Sequence, residues 1–216
     1  MEKTRKAKLV VFEGIDGSGK STQIKYLENY LKEKGVNFCL FKFPRHGRER
    51  FGKLVDAYLK GEFGDPTRLN AYFSSLLYTA DRFEEKTAIE DALRERDWVV
   101  MDRYVGSNLA HQRVKLKSEA QWKEYMKWMD DLEYKKLGLP RPDVVLYFKV
   151  PFEAAKKIIR GEDGHERNLN YLRRVKEAYE AIAKSKKEWQ IIESGKGHGM
   201  LSREEIFEKV KQVLNI

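Results

Sequence analysis

Two rhythms of apolar residues alternate along the chain. Largely apolar runs at residues 9–12, 37–43, 98–101, 144–150 and 189–192 are short, rich in aliphatic and aromatic side chains, and mostly bounded by polar residues or Pro. That is the pattern of strands buried in a parallel sheet. Between them, apolar residues recur every three or four positions, the period of a helix. Ile24, Leu27 and Leu31 precede Gly35, and Leu69, Tyr72, Phe73, Leu76, Leu77 and Ala80 form a longer stripe. Trp122, Tyr125, Met126, Trp128, Met129 and Leu132 follow, then Ala154, Ala155, Ile158 and Ile159, then Leu172, Val175 and Tyr179, and last Ile206, Val210 and Val213. Strands alternating with helices predict an α/β fold, with a five-stranded parallel sheet flanked by helices on both faces and residues 1–216 forming one domain. Start signals refine the picture. Asp65-Pro66 reads as the N-cap and first-turn proline of a helix running to about residue 96, and Ser118 with Gln121 and Ser202 with Glu205 read as capping boxes. The stripe from Leu69 to Ala80 is expected to face the core, with Tyr78, Asp81 and Arg82 at its edge.

The stretch between the first strand and the first helix carries the chemistry. Gly14-Ile15-Asp16-Gly17-Ser18-Gly19-Lys20-Ser21 has the GxxxxGKS spacing, which predicts a P-loop NTPase fold. The glycines let backbone N–H groups converge on phosphate oxygens, and Lys20 reaches the β- and γ-phosphates. The Ser21 hydroxyl is a ligand for Mg²⁺, and the helix directs its positive end at the same anion. Asp102 ends its strand on the same edge as this loop and is the functional carboxylate, whereas Asp143 precedes its strand and caps the opposite edge. Arg103 either orders that edge through an ion pair or clamps a transferred phosphate. Among Arg45, Arg48 and Arg50, which follow the second strand, one is placed for an anion, and Arg48 and Arg50 read as solvated. Residues 160–170 form a basic lid or an ordinary interhelical loop, and the glycine-rich stretch 194–199 leaves the last strand at the ligand edge.

Composition narrows the partners. With 43 Lys and Arg against 34 Asp and Glu, the net charge of +9 suits nucleic acid or a polyanionic substrate equally. The basic residues are dispersed and form no stripe interleaved with aromatics, so a phosphate substrate is preferred and no stable nucleic acid partner is expected. The single Cys39 excludes an internal disulfide and a zinc-binding cysteine cluster, and is expected to be a buried strand residue. No apolar leader or membrane-length run is visible, from which a cytoplasmic location is expected.

Segments 12–23, 43–45, 77–84, 102–108, 140–143 and 164–167 together identify a likeness. In them the chain resembles thymidylate kinases, within the P-loop nucleoside monophosphate kinases, in the family's order from residue 7 to about 195. The resemblance implies Mg²⁺-dependent transfer of the γ-phosphate of ATP to dTMP, within dTTP biosynthesis, by a homodimer. It implies ATP contacts from Gly14, Ile15, Asp16, Gly17, Ser18, Gly19, Lys20, Ser21 and Thr22, with Arg160 against adenine. On the acceptor side it implies Phe43, with Arg45 and Arg103 on the dTMP phosphate, Tyr78 stacked on thymine, and Arg82 bonded to the carbonyl at position 4. Asn108 and Gln112 would lie near the base, and His111 where some members place a Tyr beside the deoxyribose. Asp16 would lie between the two phosphates and join Ser21 and Asp102 around Mg²⁺. Gly17 stands where some members carry an arginine, which moves the catalytic charge to the lid arginines Arg160 and Arg167, alongside Lys20 and Arg103. Competing readings are a kinase for another nucleoside monophosphate such as dUMP, a nucleic-acid-stimulated P-loop ATPase, and a nucleotide-binding protein without transfer activity.

Overall fold

The computed structural model describes residues 6–159, 161 and 163–216. In chain order its main elements are β1 (Lys8–Glu13), α1 (Lys20–Glu33), β2 (Phe38–Lys42), α2 (Glu49–Lys60), α3 (Ala71–Glu84), α4 (Lys86–Glu95) and β3 (Trp98–Asp102). There follow α5 (Val105–Arg113), α6 (Glu119–Asp130), a π-helical segment (Asp131–Lys136), β4 (Val144–Lys149), α7 (Phe152–Lys156) and α8 (Leu169–Ser185). β5 (Trp189–Glu193), a small hairpin of β6 (Gly195–Lys196) and β7 (Gly199–Met200), and α9 (Arg203–Leu214) complete it.

The five long strands form one parallel sheet in the order β2-β3-β1-β4-β5. Because side chains of a strand alternate between faces, β1 feeds two cores. Leu9 and Val11 enter one with Val99, Met101, Val145 and Tyr147, against residues of α4, α5, α6 and α8. Val10 and Phe12 enter the other with Val100, Leu146, Phe148 and Ile192, against α1 and α9. On α1 the predicted stripe of Ile24, Leu27 and Leu31 is buried there, each side chain contributing roughly 1.5–3 kcal/mol. β1 lies mid-sheet: the chain leaves it toward β2 on one side and later adds β4 on the other. Such a switch in strand order opens a crevice at the carboxyl ends of the strands. Asp143 is at the opposite end, as expected, where its Oδ2 accepts from Leu9 N at 2.7 Å.

The structure corrects several local expectations. Asp65 opens only a turn, its Oδ1 accepting from Thr67 N at 2.8 Å, and α3 begins at Asn70, whose side chain accepts from Tyr72 N at 2.9 Å and Phe73 N at 3.3 Å. The expected single helix is two, interrupted at Glu85, where Asp81, Glu84 and Glu85 all turn toward Arg45. The expected stripe is only partly inward: Tyr72, Leu69 and Leu77 pack on the cores, but Phe73 and Leu76 are 43% and 48% exposed, while the polar Ser74, Ser75, Thr79, Asp81 and Arg82 are buried. Neither α2 nor α5 is among the expected helices: α5 carries no clear apolar period, whereas α2 does, in Phe51, Leu54, Val55, Tyr58 and Leu59. α7 ends at Lys156 rather than continuing through Ile158 and Ile159, whose N–H groups share the carbonyl of Ala155 as the helix closes in a turn. Cys39 is half-buried, since β2 is an edge strand. At Ser118 the box is half made: Ser118 Oγ accepts from Gln121 N, but Gln121 Oε1 accepts from Lys117 N. The Ser202–Glu205 box is complete.

The revised start of α3 has a stability consequence. Asn70→Ala removes the cap and is expected to cost about 1 kcal/mol, seen as a fall of roughly 2–4 °C in Tm. An unchanged Tm would move the start of the helix elsewhere.

Candidate active site

The loop between β1 and α1 is shaped for an anion. Gly14, Gly17 and Gly19 have φ of 147°, 74° and 91°, values that L side chains resist. At Gly17 a Cβ would stand 2.8 Å from the carbonyl oxygen of Ala155, so the loop packs on α7 with no room for a side chain. Gly19 is the N-cap of α1 and no side chain caps the helix, leaving its first N–H groups available to phosphate oxygens. Lys20 is 5% exposed and folds back over the loop, donating to the carbonyls of Gly14 (2.8 Å) and Ile15 (2.9 Å). Burial, then the neighbouring Arg103, lowers its pKa to about 8.

Arg103 follows β3 and has φ 66°, a left-handed conformation rare for a side-chain-bearing residue. Its N–H donates to Phe12 O at 2.9 Å, and its guanidinium reaches Gly14 O at 2.9 Å and Asp16 Oδ1 at 2.5 Å. Burial alone would raise the Asp16 carboxyl, but Arg103 and then Lys20 hold it well below the usual carboxylate range. Arg103 is therefore both an ion-pair partner and a cation facing the crevice. Behind it lies Glu13, fully buried at the end of β1. Its carboxylate accepts from Tyr104 N and Ser107 N (2.9 Å each), Ser107 Oγ (2.7 Å) and the Tyr179 hydroxyl (2.9 Å). A carboxylate at the start of α5 is favoured by the helix dipole, and here it ties the helix bearing Asn108 and His111 to the phosphate loop. The sequence marked this residue only as a polar end to an apolar strand.

Asp16 and Arg103 also line a second cavity of about 380 Å³, with Phe43, His46, Tyr78, Arg82, Asn108, His111 and His165 among its walls. The site thus joins an anion cradle to an aromatic-lined pocket through one ion pair. Burial, then His165 and Arg103, holds His111 far below the ordinary histidine value, so at neutral pH the ring is uncharged. His165 belongs to the segment after residue 160, which is docked here: Gly164 N donates to Leu59 O at 3.0 Å, and the imidazole lies 3.1 Å from the Tyr58 hydroxyl. Burial and Lys115 lower His165 to about 3. His46, His165 and Asp163, also a wall of this cavity, and Glu13 receive no role from the sequence, because the cavity and the Glu13 network each gather segments far apart in the chain.

Other expected site residues lie differently. Arg45 is absent from the cavity wall; its guanidinium bonds Asp81 Oδ1 (3.3 Å), Glu84 (2.5 Å) and Glu85. Gln112 is fully buried behind the cavity with neither amide atom hydrogen-bonded, and Asn108 Oδ1 is likewise unbonded. Arg167 is exposed on the outer side of the docked segment, donating to Gly161 O at 3.3 Å. Arg160 lies outside the described residues. Arg48 and Arg50 are exposed, as expected.

The residues near the loop fit a magnesium ion. Ser21 is exposed, and the Asp102 carboxylate, 7% exposed, accepts no hydrogen bond from the described residues. Among the described residues no group of three or more His, Cys, Asp or Glu could hold a metal. Mg²⁺ needs no such cage, since it takes one or two protein oxygens and completes its shell with substrate phosphates and water.

Residues 12–206 match the family described as Thymidylate kinase. The chain is 30% identical over 184 residues to the thymidylate kinase of Mycobacterium tuberculosis, covering 81% of this chain and 85% of that protein. It is 33% identical over 180 residues to that of Plasmodium falciparum, covering 83% and 79%. The fold is similar to a solved thymidylate kinase from Candida albicans, with TM-score 0.77 and 23% identity over 98% of this chain and 92% of that one.

Proposed function

The chain belongs to the thymidylate kinase family and phosphorylates dTMP, using ATP, and on that premise we propose which of its residues do so and how. The observation that carries the assignment is the Asp16–Arg103 pair, shared by the phosphate loop and the aromatic cavity. ATP phosphates lie on the N–H groups of residues 14–22, and Lys20 exchanges the carbonyls of Gly14 and Ile15 for phosphate oxygens. Ser21 and Asp102, with Asp16 beside them, would hold Mg²⁺, which when bound would neutralise charge on the phosphates. dTMP occupies the cavity with its base against Phe43 and Tyr78, its position-4 carbonyl toward Arg82, and its sugar near His111. The unbonded amides of Asn108 and Gln112 supply hydrogen-bonding capacity beside the base.

Arg103 clamps the dTMP phosphate, and Arg45 joins it by giving up Glu84 or Glu85. No strong base is required, because the attacking phosphate oxygen is already anionic. Charge spreads over the transferring group, and Lys20 and Arg103 meet it there. A catalytic role for Arg167 requires the docked segment to turn its exposed guanidinium inward, and adenine contact by Arg160 is part of the same proposal. Closure of that segment keeps water from competing as acceptor. The whole chain acts as one unit, and the exposed apolar residues Phe73, Leu76 and Phe83 of α3, with Leu54 of α2, supply the face of a homodimer. Patches of this kind mark association surfaces. No helix among the described residues is long and apolar enough to cross a membrane, and a cytoplasmic location belongs to this reading.

ADP release with dTMP, dUMP, dCMP, AMP, no acceptor and single-stranded DNA tests the assignment. Turnover is expected to need dTMP, with dUMP as the nearest competitor because it offers the same carbonyl. Arg82→Ala is expected to raise the dTMP KM roughly tenfold or more with the ATP KM unchanged, as loss of a recognition hydrogen bond does. Equal loss for both substrates would overturn the base-site assignment. Hydrolysis without acceptor, raised by DNA, would overturn the kinase mechanism.

A further inference from the structure

Arg82 and Glu133 form an ion pair closed to water, at 2% and 0% exposure. Glu133 Oε2 accepts from Arg82 Nε at 3.2 Å, and Oε1 accepts both from Arg82 NH2 and from the Thr79 hydroxyl, the latter at 2.6 Å. The carboxylate therefore grips one edge of the guanidinium. The NH1 group lies outside this grip and has no hydrogen bond to the described residues. Arg82 lines the acceptor cavity and lies 5.9 Å from the ring of Tyr104, another of its walls, whereas Glu133 stands behind and does not line it. Glu133 comes from the π-helical segment, in which Lys135 and Lys136 are well exposed. A π turn shifts side chains out of α register, and such turns recur at functional sites.

We propose that Glu133 is a positioning residue for base selection, fixing the plane of Arg82 so that the pyrimidine meets a rigid set of donors. This rests on the reading that Arg82 faces the base. A guanidinium has five donors and no acceptor, so a held one bonds a carbonyl and opposes an amino group. A guanidinium free to rotate yields to the amino group and discriminates less; rigidity converts the contact into selectivity. The carboxylate also neutralises a cation buried beside an uncharged base, where a lone charge is costly.

The test compares kcat and KM for dTMP, dUMP and dCMP in wild type, Glu133→Gln, Glu133→Asp, Arg82→Ala and the Arg82→Ala/Glu133→Gln double variant, with Tm for each. Glu133→Gln is expected to raise the dTMP KM roughly tenfold, leave the ATP KM within about twofold, and lower the dTMP-over-dCMP preference roughly tenfold. Glu133→Asp is expected to fall between Gln and wild type. The double variant is expected to discriminate no worse than Arg82→Ala, since Glu133 acts through Arg82. Unchanged preference in folded Glu133→Gln, alongside lost preference in Arg82→Ala, overturns the role of Glu133 and leaves the Arg82 reading standing. Unchanged preference in both overturns the Arg82 reading itself. Should the Gln variant not fold, Glu133→Asp carries the same comparison, and wild-type preference in it overturns the proposal.

Discussion

Lys20→Ala is expected to lower kcat on the order of 10²–10³-fold, because it removes a charge that strengthens its hold as the phosphoryl group leaves ATP. The site adds a second, more particular expectation. With its pKa at about 8, the free enzyme carries a partly neutral Lys20 in mildly alkaline solution. Triphosphate brings negative charge to the ammonium and raises its pKa, so ATP binding above pH 8 takes up a proton and its affinity falls as pH rises. Well below that pH Lys20 is already charged and uptake fades. Calorimetry in two buffers of different ionisation enthalpy measures this directly. Lys20→Ala should abolish the uptake along with turnover. A variant that retains either near the wild-type value would remove Lys20 from the phosphate site.

Arg103→Ala is the second large loss, again on the order of 10²–10³-fold in kcat, and it should also raise the dTMP KM more than the ATP KM. Arg103 spans Gly14 O and Asp16 with one planar group. A lysine ammonium cannot reproduce that span, so Arg103→Lys should restore little of the activity. The same replacement has a readout independent of turnover. Burial pushes the Asp16 carboxyl up, and Arg103 is the largest influence holding it down. In Arg103→Ala the carboxyl should titrate at a higher pH, followed by carbonyl NMR. Unchanged titration would mean that the pair does not persist in solution.

The residues that misled the sequence reading share one cause. On α3 the apolar positions were assigned inward because amphipathic helices bury that face. Here Ser74, Ser75, Thr79, Asp81 and Arg82 face inward, since the space behind them is a polar pocket whose partners, Glu133, Tyr125 and Arg45, arrive from elsewhere in the chain. α5 was invisible because Val105, Gly106, Asn108, Leu109, Ala110 and Gln112 are buried around much of its circumference, which erases the helical period. Arg45, which the resemblance assigns to the dTMP phosphate, is ringed by the carboxylates of Asp81, Glu84 and Glu85, an arrangement that its place after β2 does not reveal.

Local chemistry was legible. Chain order, alternating periods and the glycine spacing determined the parallel sheet, the phosphate loop, the functional edge and the contrast between Asp102 and Asp143, since each depends on residues near one another in sequence. Only the tertiary structure decided that Asp16 and Arg103 pair where the phosphate loop meets the aromatic-lined cavity, that Glu13 fastens α5 behind them, and that Glu133 grips Arg82. These are contacts across 87, 91 and 51 positions, respectively. Their energies come from desolvation and paired geometry, which do not exist until the sheet has assembled.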